Sequence, residues 1–123
     1  MRLLLFLCFI ACGARSQEVV AKTADTTKKT IFTTYYAKKF EGRKTTSGER
    51  YRAAKFTAAH RTLPFGTMVR VKNLRTGKTV EVRVNDRGPF SKKFSLDISQ
   101  AAAKAIGVYR LGYARVEISY VLE

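Results

Sequence analysis

Three short segments of the 123-residue chain carry side chains able to move protons or hold a polar ligand. In the first, Thr45-Thr46-Ser47-Gly48-Glu49, Ser47 and Gly48 form a turn and Glu49 leaves it. The second, Thr57 to Gly66, contains His60, the only histidine, among small residues and ahead of a Leu-Pro-Phe-Gly turn. The third runs from Val84 into Asn85-Asp86-Arg87-Gly88-Pro89-Phe90, so that an acid emerges where a strand ends. A strand end holds a carboxyl rigidly, and Gly88 and Pro89 turn the chain away, leaving room for a ligand. Arg87 pulls the pKa of that carboxyl down and burial pushes it up. Two carboxyls and an imidazole are groups of general acid–base chemistry. Each also has a plainer use: Asp86 bonding its own turn backbone, His60 as a satisfied packing residue, Glu49 as a solvated turn residue. Spacing alone favours the plainer use for Asp86. With one histidine, and both cysteines (Cys8 and Cys12) near the N-terminus, no structural zinc site is expected, and no cofactor is called for.

The elements that must position these segments read mainly as strands. Ile31 to Tyr36 is aromatic and β-branched, and Thr67 to Val71 alternates with Val69 and Val71 on one face. Lys72 to Lys78 is a turn in which Gly77 supplies a positive φ. Thr79 to Val84 pairs back, with Val80, Val82 and Val84 sharing a face, and Val116, Ile118 and Tyr120 alternate near the C-terminus. One helix is expected over Ser99 to Ile106, capped by Asp97 or Ser99 and ended by Gly107. A second short helix or turn is expected over Arg52 to Lys55. Several short strands with little helix point to a small closed barrel, which removes exposed sheet edges.

The front of the chain reads differently. Residues 1–16, with Arg2, an apolar run from Leu3 to Ala11 and then small residues, have the plan of a secretory signal, and the run is shorter than the ~20 residues of a spanning helix. Cleavage before Gln17 is the preferred exit. The alternative is lipidation of Cys12 in Phe9-Ile10-Ala11-Cys12, where Phe9 stands in place of the usual leucine; it would add membrane anchoring. Residues 17–29 are expected to be a disordered polar tether and residues 30–123 the folded domain. The formal charge is +15, of which Arg2 and Arg15 of the leader account for +2, leaving +13. Such a charge suits anionic surfaces. Export argues against nucleic acid and for peptidoglycan carboxylates, wall polymers or a lipopolysaccharide surface; solubility alone is the other reading of the charge. A monomer in the periplasm or cell envelope is expected.

The runs TTYYAKKFEGRKTTSGERY, TAAHRTLPFGTMVRVKNLRTGKTVEVRVNDRGPF and LDISQAAAKAIG, taken in order, resemble the rare lipoprotein A family, whose better-studied members are septal-ring lytic transglycosylases. The resemblance covers Thr34 to Glu123 and implies a six-stranded double-psi β-barrel with one or two short helices, a fold shared with expansins. By motif position it also implies that Asp86 is the catalytic acid and that Glu49 and His60 are the other catalytic groups of the same groove. Tyr36, Ser47, Arg61, Asn85 and Arg87, from the same motifs, are then expected to bind substrate. Arg52 and Ala37 depart from the family pattern, where an acidic or amide residue and a glycine are usual, and no peptidoglycan-binding repeat domain is expected after the barrel.

The implied reaction cleaves the bond between N-acetylmuramic acid and N-acetylglucosamine without water, the C6 hydroxyl attacking the anomeric carbon to leave a 1,6-anhydro end. One carboxyl can serve twice, as acid and then base, whereas ordinary glycosidases pair two. Asp86 is therefore expected to start protonated, with a raised pKa. Tyr35, Tyr36 and Phe90 are candidates to stack on a sugar, though core packing is the commoner use of each. The rival expectation is an expansin-like module that grips glycan and leaves it intact.

Overall fold

The computed structural model describes residues 25–122. The leader, Cys12 and residues 17–24 of the expected tether lie outside them. Six strands, β1 (Thr26–Tyr35), β2 (Thr57–Ala59), β3 (Met68–Asn73), β4 (Thr79–Asp86), β5 (Leu96–Ile98) and β6 (Ala114–Val121), are joined by one α-helix, α1 (Gln100–Ala105), and a single 3₁₀ turn at Lys38–Phe40. They close into a barrel in the order β1-β5-β2-β4-β3-β6, β6 returning to β1. Neighbours β1 and β5, and β2 and β4, run parallel, and the other pairs are antiparallel. The fold is thus mainly β, as the alternating segments indicate.

The alternation decides the core. Val69 and Val71 of β3, Val82 and Val84 of β4, Leu96 and Ile98 of β5, and Val116 and Ile118 of β6 are all buried together with Ala102, Ala103 and Ile106 around α1. Val80 shares the face but is only partly buried against the core. Gly77 takes φ 77° in the β3–β4 turn, donating its N–H to the Asn73 carbonyl. Of the two capping candidates, Ser99 is the cap: its Oγ accepts from the Ala102 N–H at 3.3 Å. Gly107 ends the helix at φ 81°. Buried Asn73 donates from Nδ2 to the Ile106 carbonyl at 2.7 Å, tying the hairpin turn to the helix end.

One boundary differs from expectation. β1 begins at Thr26, so Thr26 to Lys29, assigned to the tether, pair with Val121 to Ile118 of β6. These residues are mostly exposed, and backbone pairing with a well-patterned partner, which leaves no hydrophobic period behind, holds them in the strand. Arg52 to Lys55, expected as a short helix or turn, is a turn, closed by Lys55 N–H on the Arg52 carbonyl at 3.0 Å.

Candidate active site

Asp86 ends β4, and a bulge aims it. Ala58 pairs with Val84 but Ala59 pairs with Asp86, so Asn85 is an extra residue on β4. Bulges of this kind re-aim side chains beside functional sites. Here the bulge buries Asn85, 3 % exposed, and turns the Asp86 carboxyl into a groove of about 400 Å³ between the Arg43–Tyr51 loop and the Arg87–Phe90 turn. The groove wall is a second apolar cluster outside the barrel: Tyr36, Tyr51 and Ala59, with Phe40 and Ala53 against them. Tyr36 and Tyr51 stack at 4.2 Å between ring centroids, and Phe40 meets Tyr36 edge-on. The Gln100 side chain donates to the Tyr36 carbonyl, and its backbone N–H donates to the Tyr51 hydroxyl.

Asp86 is well supplied with donors. Its Oδ2 accepts the Tyr36 hydroxyl at 2.5 Å, and its Oδ1 accepts the Thr46 and Arg87 N–H groups at 2.8 and 2.9 Å. Burial pushes the carboxyl up, but these hydrogen bonds together outweigh burial and hold it below the usual aspartate range. The expectation of a raised pKa is thereby reversed: donors that favour the charged form surround Asp86, which is an anion at neutral pH. The same contact, with burial first, drives the Tyr36 hydroxyl up, so it stays a proton donor.

Glu49 stands behind this site rather than in it. Its carboxylate accepts the Asn85 amide at 2.9 Å and both ends of the Arg83 guanidinium at 3.0 and 3.2 Å, which in that order lower its pKa, in a neighbouring hollow that also holds Arg52 and Lys55. It reaches Asp86 through Asn85. Ser47 works on the same turn. Its Oγ lies 2.9 Å from that of Thr45 and accepts the Glu49 N–H, while its own N–H donates to the Asn85 carbonyl. The TSGE turn is therefore clamped onto the Asn85–Asp86 step.

His60 is a turn organiser. Its Nδ1 accepts the N–H groups of Thr62 and Leu63, both at 3.1 Å, and its backbone N–H donates to the Asp86 carbonyl. Burial, reinforced by Lys29, Arg61 and Arg87, lowers its pKa and keeps the ring neutral. The imidazole does not line the groove. Arg87 donates to the carbonyls of His60 and Leu63 and lies over the Phe65 ring at 4.1 Å. Arg61 donates to the carbonyls of Pro89, Ser91 and Phe94, fixing the loop that closes the groove. Arg61 thus makes three hydrogen bonds to protein carbonyls and Arg87 two. Tyr36 has one face on Tyr51 and its hydroxyl on Asp86, and Tyr35 stacks on Tyr109. Phe90, 82 % exposed at the groove edge, is the aromatic ring left open to a ligand. Neither departure from the family pattern disturbs the groove. Arg52 pairs with Glu41 at 3.3 Å, and Ala37 has φ −70°, which any residue adopts.

One groove residue escapes the sequence reading. Asp97, considered there only as a helix cap, lies on β5 between buried Leu96 and Ile98 and faces the groove with Asp86. Its Oδ1 is buried without a hydrogen-bond partner among the described residues. Burial, then the charge of Asp86, raises its pKa from 3.8 to about 7. An acid between two inward-facing apolar residues of a strand was the available signal.

Comparison with known proteins places the chain. The model of the lytic transglycolase family matches residues 28–118. A probable endolytic peptidoglycan transglycosylase RlpA of Treponema pallidum is 52 % identical over 87 residues, covering 71 % of this chain and 27 % of that protein. The endolytic peptidoglycan transglycosylase RlpA of Haemophilus influenzae is 45 % identical over 109 residues, 86 % of this chain and 38 % of that protein. The chain therefore spans well under half the length of these relatives. Among solved structures, a Streptomyces papain inhibitor aligns with TM-score 0.63 and 24 % identity over 78 % of this chain and 96 % of its own. A Clavibacter michiganensis expansin aligns with TM-score 0.63 and 20 % identity over 79 % of this chain and 52 % of its own. At such identities the likeness carries the fold alone. The strand order, the two parallel pairs and the matched family model lead to one conclusion: the chain belongs to the lytic transglycolase family and folds as a double-psi β-barrel.

Proposed function

We propose that this protein cleaves peptidoglycan glycan strands as a lytic transglycosylase, within the groove at the end of β4. The observation that carries the reading is the groove itself, in a barrel of this family, with Asp86 fixed by three donors at its wall. The relatives named above are called endolytic peptidoglycan transglycosylases, and the reaction has one chemical demand this groove suits. Positive charge develops on the anomeric carbon as the glycosidic bond breaks, and a preorganised anion stabilises it. Asp86 is that anion. Glu49, through Asn85, and His60, through the Asp86 and Arg87 backbone contacts, are positioning residues, with Tyr36, Ser47, Arg61, Asn85 and Arg87 shaping the substrate cleft. Phe90 offers a sugar-stacking face.

The leader supports export to the periplasm or cell envelope, where peptidoglycan is found, with release before Gln17 or lipidation at Cys12 as the two forms. The excess of Lys and Arg suits the carboxylates of peptidoglycan, and the working unit is taken as a monomer. A second reading, a module that binds glycan without cutting it, is favoured by one observation: both Asp86 oxygens are already occupied by donors and the carboxyl is ionised. Incubating the purified protein with stem-peptide-free glycan strands and identifying new ends by mass spectrometry separates the two. Anhydro ends support cleavage; strand binding without new ends supports the module.

A further inference from the structure

We infer that Asp97 is the proton donor and acceptor of glycan cleavage, facing Asp86 across Ala59 in the same groove. This rests on the lytic transglycosylase reading above and assigns its proton. The placement comes from strand register. Ala59 of β2 pairs on one side with Asp86 of β4 and on the other with Asp97 of β5. Residues paired across neighbouring strands share a sheet face, so the two acids stand two strand spacings apart, about 10 Å between backbones. Both line the groove.

Their surroundings differ in the way an acid and an anion require. Asp86 accepts three hydrogen bonds, each of which favours the ionised form. Asp97 has a buried oxygen with no donor and a neighbouring negative charge, both of which favour the protonated form. Two titratable groups whose environments push them apart divide into a proton carrier and a fixed charge. The charged and titratable groups that line the groove with Asp97 are Asp86, Tyr36, Tyr51, Arg43, Lys44 and Arg87. Arg87 is engaged with the His60 and Leu63 carbonyls.

The step balances without a co-reactant. The bond from the anomeric carbon to the leaving oxygen breaks, and that oxygen takes the Asp97 proton. The C6 hydroxyl oxygen then bonds to the anomeric carbon, and its proton passes to the Asp97 carboxylate, restoring the acid for the next bond. Asp86 remains ionised throughout and faces the positive charge on the sugar ring.

The test measures anhydro-end release from stem-peptide-free glycan strands by the wild type, Asp97→Asn and Asp97→Glu, each checked for fold by circular dichroism and for strand binding by pull-down. Asp97→Asn should bind strands and lose about 10²–10⁴-fold in release, while Asp97→Glu should recover part of it. Wild-type release should fall as pH rises through about 7, with a midpoint equal to that of the Asp97 carboxyl titrated by NMR, a readout that needs no variant. Release by Asp97→Asn at the wild-type rate, or a wild-type rate flat from pH 5 to 9, overturns the Asp97 assignment and leaves the transglycosylase reading standing. A wild type that binds strands and releases no anhydro ends at any pH overturns that reading, and the role of Asp97 with it.

Discussion

The two sides of Ala59 present the same functional group in opposite environments. On the β4 side, Asp86 collects a phenol and two backbone N–H groups from three separate segments, and burial loses to hydrogen bonding. On the β5 side, Asp97 has neighbours Leu96 and Ile98 that belong to the core, an oxygen without a partner, and a pKa raised to about 7. Whether a carboxyl carries charge or a proton is decided by burial, neighbouring charge and the donors within hydrogen-bond reach, not by residue type. The Asp86 side could be fitted with donors because a bulge and a long loop meet there. The Asp97 side is a three-residue strand locked between β1 and β2.

The contrast can be broken at either acid. After the loss expected for Asp97→Asn, the next largest effect is on Asp86→Asn, which keeps the shape and removes the charge. Anhydro-end release should fall about 10²–10³-fold, the scale of losing one preorganised electrostatic partner, measured by mass spectrometry on folded protein. If this variant unfolds, the plainer turn-forming use of Asp86 is the right one.

Stability against pH should separate the acids next. For Asp97 the folded pKa of about 7 lies above the ordinary 3.8, so between those values the native state binds more protons than the unfolded chain. Stability from this group therefore falls as pH rises from about 4 to 7, by on the order of 4 kcal/mol. Asp86, with a lowered pKa, has the opposite sign: its contribution is present above the ordinary carboxylate range and is lost as pH falls through the folded value. His60, also lowered, adds stability as pH rises toward its ordinary value. Subtracting the denaturation curves of Asp97→Asn from those of the wild type isolates the Asp97 slope; a difference that does not change between pH 4 and 8 would mean that Asp97 titrates normally.

Val82→Ala should cost about 1–3 kcal/mol in chemical denaturation, since Val82 is fully buried at the centre of β4. The loss should not alter the relation between the two acids. Tyr36→Phe removes one donor from Asp86 and should raise the Asp86 titration midpoint in NMR, with a stability loss of about 1–2 kcal/mol. An unmoved midpoint would show that Thr46 and Arg87 suffice. The smallest effect is expected at Glu49→Gln. Its Arg83 pair is half exposed, and such pairs contribute less than about 1 kcal/mol; denaturation midpoints in low and high salt should differ little from the wild type.

Much of this was legible in the chain alone. Period-two apolar residues in β3, β4 and β6 dictate the barrel faces because an alternating strand buries one side. Ser99, Gly77 and Gly107 announce their turns because few other residues accept those backbone conformations or caps. The run from Thr45 to Pro89 gives the motifs of the family, and with them Asp86, Glu49 and His60. What only the tertiary structure decided is how those residues relate. The bulge at Asn85 separates Glu49 from the groove that holds Asp86. His60 spends its ring on a local turn. Thr26 to Lys29 join β1 through a partner more than 85 residues away. Asp97 pairs with Ala59 across the sheet, and its proton depends on the absence of a donor and on the charge of Asp86, which is 11 residues away in sequence and two strands away in space. Propensity and periodicity act over a few residues. Burial, register and hydrogen-bond supply are set by segments distant in sequence, and these determine which carboxyl is an anion and which is an acid.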